Sequence, residues 1–312
     1  MPDAATRYRL ISSVSGLLLA VFLTYLGTSL FVSLLLTQLI GLEISEATDL
    51  TATLKALPEG RFWLLGMQAV VHGASFLIVP LIFWRREHRR PDAVTVHQPQ
   101  TTSWQTFLLV VLAGIALLPL IQALTVWNQS WEIPGDFGTW ARRMEDQTEA
   151  LILYLTSFDS TTQFLLGLLV MAVLPGVGEE LLFRGLLQNQ FRTLFGRPHL
   201  AVLLTALLFS AIHLQFYGFA TRALLGIWFG YLYLWTRNLW VPVLAHFVHN
   251  GVTLLLVYLA RLSLADVSIE SPEYPPLPLL LGSLAVSGLL IFRIWQQHRS
   301  THTNTQHGTF SE

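Results

Sequence analysis

Apolar residues run in unbroken blocks of roughly 20 along most of this chain, the length a helix needs to cross a hydrocarbon core about 30 Å thick. Eight such blocks stand out, at about 12 to 40, 62 to 84, 105 to 127, 162 to 190, 199 to 216, 219 to 236, 239 to 260 and 275 to 295, the fifth and sixth being the shortest. The two-residue alternation of a membrane barrel is missing, and open backbone cannot face lipid, so each block reads as a helix. The pattern predicts an all-α membrane protein, a polytopic bundle of about eight transmembrane helices in a single integral membrane domain over 1–312.

The stretches between blocks are longest from Glu43 to Arg61, from Arg85 to Ser103 and from Asn128 to Thr161. In the last, Trp140, Met144, Glu145, Leu151 and Leu155 fit a helix lying along the membrane interface. Arg7 and Arg9 precede an apolar run from Leu10 to Leu42, too long for a signal-peptide core of about 7 to 15 residues, so this run reads as the first transmembrane helix. No internal repeat and no second domain are visible.

Composition agrees with the pattern. Apolar residues make up 53% of the 312 and charged residues 12%, about half the fraction usual in soluble domains, and mean hydropathy is +0.55. A formal net charge of −1 without a basic run interleaved with aromatics gives no support to a nucleic-acid partner. The partner implied is a lipid bilayer. The absence of cysteine removes disulfides, thiolate ligands and a cysteine nucleophile together, and the ending Thr309-Phe310-Ser311-Glu312 is not a prenylation site.

Charge tests the topology independently of hydropathy. With the N-terminus inside, the inner segments hold Arg7, Arg9, Arg85, Arg86, Arg89, Arg90, Arg192, Arg197, Arg237, Arg293 and Arg299, 11 of 18 basic residues. The outer segments hold Lys55, Arg61, Arg142, Arg143, Arg222 and Arg261 with 13 of the 19 acidic residues. This bias predicts both termini in the cytoplasm.

The chemistry concentrates in the fourth block. From Thr162 to Gln190 the only charges are Glu179, Glu180 and Arg184. Each costs about 2.5 to 3.5 kcal/mol at membrane depth on insertion scales, so the group needs compensation or a function. Pro175 frees the carbonyl of Met171 and, with Gly176 and Gly178, predicts a kink just before the glutamates. Glu180 and Arg184 are four apart and share a face, while Glu179 points about 100° away. Pairing one carboxylate with the arginine separates the two into different roles and leaves Glu179 as the candidate base.

Proton partners and polar donors occur in later blocks: Phe209-Ser210-Ala211-Ile212-His213 in the fifth, His246-Phe247-Val248-His249-Asn250 in the seventh. At ~1.5 Å per residue, Glu179 lies about 20 Å from Arg192, His213 about 24 Å from Arg197, Asn250 about 20 Å from Arg237 and His246 about 14 Å. These depths allow convergence on one buried, water-containing cavity over a core at 162–260.

The ordered elements Glu-Glu-x-x-x-Arg, Phe-x-x-x-His and His-x-x-x-Asn resemble the signature of the CPBP family of intramembrane proteases, which includes CAAX endopeptidases and bacteriocin-processing and immunity relatives of the Abi type. The resemblance covers about Leu169 to Leu254. It implies that Glu179 with His213 activates a water against the scissile amide, that Arg184 braces Glu180, and that His246 and Asn250 donate to the oxyanion. It also implies a membrane-associated protein or peptide substrate and, from the family's distribution, a prokaryotic plasma membrane. No cofactor is expected, although a divalent metal such as Zn²⁺ stays open, because the family was long treated as metal-dependent. The absence of His-Glu-x-x-His and the pairing of Glu180 with Arg184 favour metal-free chemistry.

Plainer readings exist for each residue. The charged trio can be an ion-pair network between helices, and His246 and Asn250 can be interhelical hydrogen-bonding glue. His72 in the second block reads as structural, His249 as a supporting donor or packing, and Phe209 as packing beside His213. The rival functions are a transporter or proton relay lined by the buried Glu and His residues, and a non-enzymatic immunity or scaffold protein. A transporter predicts an inverted repeat with matching broken helices, and only the fourth block combines a Pro and Gly interruption with charge.

Overall fold

The computed structural model describes residues 2–41, 50–89, 101–264 and 273–304. Parts of the predicted loops therefore lie outside the described residues, at 42–49 and 90–100 and with them Glu43 and Arg90, as does the ending Thr309 to Glu312. Among the described residues every regular element is helical.

In chain order these are α1 (Ala4–Ile40), α2 (Leu50–Ala56), α3 (Gly60–Glu87), α4 (Trp104–Gln129) and α5 (Gly135–Thr156). They continue with α6 (Thr161–Phe195), α7 (Pro198–Ala211), α8 (Phe219–Thr236), α9 (Trp240–Arg261) and α10 (Leu277–Asn304). Local chemistry sets the ends. Asp3 caps α1 by accepting from the Thr6 amide at 2.8 Å, Ser103 and Ser160 cap α4 and α6, and Gly196, at φ 65°, ends α6 in the left-handed region.

Six of these helices, α1, α3, α4, α6, α9 and α10, are long and apolar enough to cross a membrane. The fifth and sixth predicted spans are helical but fall short of that standard. The fifth stops at Ala211, giving 14 residues and about 21 Å of rise, because the chain turns through Leu214 at φ 55°. A short helix at Leu50–Ala56 occupies ground expected to be loop. The helix predicted within the stretch from Asn128 to Thr161 forms as α5, with Glu145 and Leu155 of the expected face buried beside Gly138 and Ala141 and with Trp140 38% exposed.

The chemistry-bearing helix is the interior one: 56% of the apolar stretch of α6 is buried, against 17 to 28% for the other five spans. One apolar cluster joins α6 to α1 and α7 through Leu182, Phe183, Leu187, Leu17, Val21 and Phe209. A second, built on Val110, Leu225, Phe229, Val241, Ala245 and Ile294, joins α4, α8, α9 and α10. Small residues bring backbones together around the site. A Cβ on Gly226 of α8 would lie 2.9 Å from the Ala206 Cα of α7, and one on Gly178 of α6 would lie 3.0 Å from the Phe76 carbonyl oxygen of α3.

The irregularity predicted around Pro175 takes the form of π-helical turns at Leu169–Val173 and Leu181–Gln188, on either side of the glutamates; α3 has one at Gly73–Ile78. Wide turns of this kind re-aim side chains and are common at functional sites. At one rim, Asp159 joins three helices: Arg61 of α3 meets it at 3.1 Å, Arg261 at the end of α9 pairs with it, and Asp159 itself sits just before α6.

Candidate active site

Arg184 lies one turn beyond Glu180 on α6, and its Nη1 donates to Glu180 Oε1 at 2.8 Å, both side chains being fully buried. The same Oε1 accepts from His246 Nδ1 of α9 at 2.8 Å. The second guanidinium arm, Nη2, donates to the Gly226 carbonyl of α8 at 2.9 Å. The Glu180–Arg184 pair thus ties three helices together. Aromatic faces complete its enclosure: the guanidinium carbon is 5.0 Å from the centre of the Phe209 ring and 5.4 Å from that of Phe229, within cation–π range, and His246 stacks on Phe229 at 5.0 Å and 16°. Charges taken out of water need partners; among the described residues Glu180 Oε2 and Arg184 Nε are buried without a hydrogen-bond partner.

Glu179, one residue earlier and about 100° around the helix, faces α3. There His72 Nε2 stands 3.6 Å from Glu179 Oε1. The sequence pattern alone assigns His72 to helix packing, since it has no patterned partner within its own block. One signal was available: counted from Arg85 at ~1.5 Å per residue, His72 lies about 20 Å deep, the level of Glu179.

His213 sits in the turn after α7, with its Nδ1 2.8 Å from the Phe209 carbonyl. A carbonyl can only accept, so the ring proton is on Nδ1 and Nε2 offers its lone pair. Among the described residues His213 makes no ion pair with either glutamate. It approaches the others through Phe209, whose ring lies edge-on to His213 at 5.3 Å, to His246 at 6.0 Å and to Phe183 at 5.2 Å. Phe209, expected as packing beside one histidine, is packed against three candidate-site side chains at once, His213, His246 and Arg184.

Asn250 lies one turn beyond His246 on α9, and its Nδ2 donates to the Met171 carbonyl at 3.1 Å. That carbonyl is the one Pro175 cannot serve. One of the two N–H groups of the carboxamide is thereby committed to structure.

The structure therefore brings Glu180, Arg184 and His246 into direct contact, sets Glu179 on the adjoining face against His72, joins His213 through Phe209, and anchors Asn250 to the α6 backbone. These groups can exchange protons and stabilise an anion. Glu180 Oε1 already holds two donors, and among the described residues no three His, Asp or Glu side chains gather as metal ligands.

Comparison with known proteins falls on this region. Residues 161–252 match the family model described as type II CAAX prenyl endopeptidase Rce1-like. The chain is also 30% identical over 89 residues to the uncharacterized protein YpbD of Bacillus subtilis (strain 168), a match that covers 27% of this chain and 42% of that protein. The chain thus spans under half the length of this curated relative. No solved structure matches. With six spanning helices and this match, the chain is an integral membrane protein.

Proposed function

We propose, from a segment at 161–252 that is of the CPBP type, that this chain is an intramembrane endopeptidase. It hydrolyses a peptide bond in a membrane-associated protein or peptide, in the CAAX or bacteriocin-processing manner. The observation that carries the reading is the unequal treatment of two neighbouring carboxylates. Glu180 is clamped by Arg184 and His246 at 2.8 Å each, whereas Glu179 meets a single imidazole at 3.6 Å. A network serving only to pin helices has no use for the second, unclamped carboxylate.

In this mechanism the water oxygen attacks the scissile carbonyl carbon while its proton passes to Glu179, aided by the free Nε2 of His213. The tetrahedral oxyanion accepts from His246 and from the remaining N–H of Asn250. Because Nδ1 of His246 is held by Glu180, the donor to the oxyanion is Nε2–H. When the C–N bond breaks, the leaving nitrogen takes the proton from Glu179, giving a new amine and a new carboxyl end. General acid–base catalysis contributes typically 10²- to 10⁴-fold, and each oxyanion donor about 10²- to 10³-fold.

The reaction runs without a metal, so EDTA leaves the rate of purified protein unchanged. The catalytic core is 162–260, and both termini face the cytoplasm of a prokaryotic plasma membrane. The decisive test is peptide cleavage in proteoliposomes by wild type and Glu179→Gln. A fall of at least about 10²-fold is expected. A variant that cleaves as fast as its parent would falsify the proposal.

A further inference from the structure

His72 is a largely buried titratable group that the mechanism above does not use, and four observations place it in a built position. Gly178, immediately before Glu179, lets the α3 backbone approach so closely that a Cβ there would lie 3.0 Å from the Phe76 carbonyl oxygen and 3.1 Å from its carbon. Close approach is thus enforced at the level of the glutamate. The π-helical turn Gly73–Ile78 begins at the residue after His72, which sets the direction in which His72 leaves α3. The imidazole is then stacked on Phe76 at 4.6 Å and 18°, so its plane is fixed. Its Nε2 is buried, has no hydrogen-bond partner among the described residues, and faces Glu179 Oε1 at 3.6 Å.

The charged or titratable neighbours of this pair are Glu180 and Arg184 on α6 and His246 on α9. Glu180 is saturated on Oε1 by the other two. Among the described residues, the group within ion-pair distance of Glu179 is the imidazole of His72 on α3.

We infer that His72 is a positioning residue for Glu179: its Nε2–H closes on Oε1 and turns the other carboxylate oxygen toward the reacting water. This rests on the hydrolytic reading above. It extends the site beyond the three motifs to a helix outside the matched segment 161–252.

The test separates the ring from its N–H. His72→Phe keeps the stack on Phe76 and loses the donor, His72→Gln keeps a donor at similar reach and loses the ring, and His72→Met loses both. Each is reconstituted in proteoliposomes, its melting temperature is recorded, and kcat and KM are measured on one cleavable peptide. Positioning predicts that Gln retains the higher kcat, with Phe and Met about 10- to 100-fold lower, the usual effect of a misplaced catalytic group, and KM within about twofold of wild type in all three. Phe equalling or exceeding Gln in kcat would overturn the inference and leave a packing role. The Gln and Met pair share the loss of the ring, so their ratio carries the same decision if Phe lowers the melting temperature. His72→Phe should also add nothing to the defect of Glu179→Gln, and an additive loss would overturn the inference as well. Wild type that cleaves no peptide sinks the hydrolytic reading and this one with it; cleavage with all three variants unimpaired sinks this one alone.

Discussion

Asn250 donates its carboxamide, at 3.1 Å, to the Met171 carbonyl, the acceptor that Pro175 strips of its helical donor. A proline-made defect in α6 is therefore repaired from α9. Interhelical hydrogen bonds in membranes are worth about 0.6 to 2 kcal/mol, so Asn250→Ala should lower stability by that amount. In a Pro175→Ala background the α6 backbone can serve Met171 itself, and the cost of Asn250→Ala should shrink. A double-mutant cycle on melting or detergent-unfolding midpoints measures this coupling, and strict additivity would contradict it.

Arg184 is fully buried with two directed hydrogen bonds, to Glu180 at 2.8 Å and to the Gly226 carbonyl at 2.9 Å. Arg184→Ala strands a buried carboxylate and should cost about 3 to 5 kcal/mol. Arg184→Lys keeps the charge but cannot hold both acceptors with a planar fork. It should therefore unfold earlier than wild type and later than the alanine variant in thermal melts. A lysine variant as stable as the parent would show that charge alone matters here.

Two glycines of α6 should respond oppositely to alanine. At Gly178 the new Cβ meets α3 backbone at 3.0 Å, and backbone yields little, so overpacking of about 1 to 3 kcal/mol is expected together with reduced cleavage. At Gly176 the nearest atoms, the Phe247 nitrogen and the Val243 carbonyl oxygen of α9, are at 3.5 Å, an ordinary contact. Gly176→Ala should leave stability level or raise it by up to about 1 kcal/mol through lost backbone freedom in the unfolded chain. Paired melts of the two variants check the contrast.

Glu145 of α5 lies outside the spanning helices and is 9% exposed. Its Oε1 accepts from Gln215 at 3.5 Å. Burial holds its carboxyl above the usual range, with Arg222 pulling the other way. The folded state then keeps the proton at pH values where the unfolded chain has released it, so this group's contribution is intact below the unfolded Glu value of about 4.3 and is lost as pH rises toward the folded value. Glu145→Gln should flatten that part of the stability-versus-pH curve and raise the melting temperature at neutral pH. An unchanged slope would mean that Glu145 titrates as it does in the unfolded chain.

The hydropathy pattern carried most of the helices because lipid requires long apolar blocks, and six of the eight predicted spans stand at that length. It overran the fifth because Ile212 and Leu214 are apolar letters in a turn: a left-handed φ of 55° at Leu214 leaves no hydropathic trace. Within the site, contacts along one helix were legible and those between helices were not. The Glu180–Arg184 pair follows from four-residue spacing, whereas the contact of His246 with Glu180 depends on how α9 docks. His72 reads as structural from sequence because its partner lies 107 positions away, the difference between 179 and 72, on a helix with which it shares no periodicity.

The early end of α7 has a chemical outcome. Had the helix run on, the amide of His213 would have pointed at the Phe209 carbonyl; as it stands, that amide goes to Ser210 instead and the oxygen is taken by the imidazole. Where the main chain stops coiling thus dictates the prototropic form of the side chain, presenting its basic nitrogen outward before any substrate arrives.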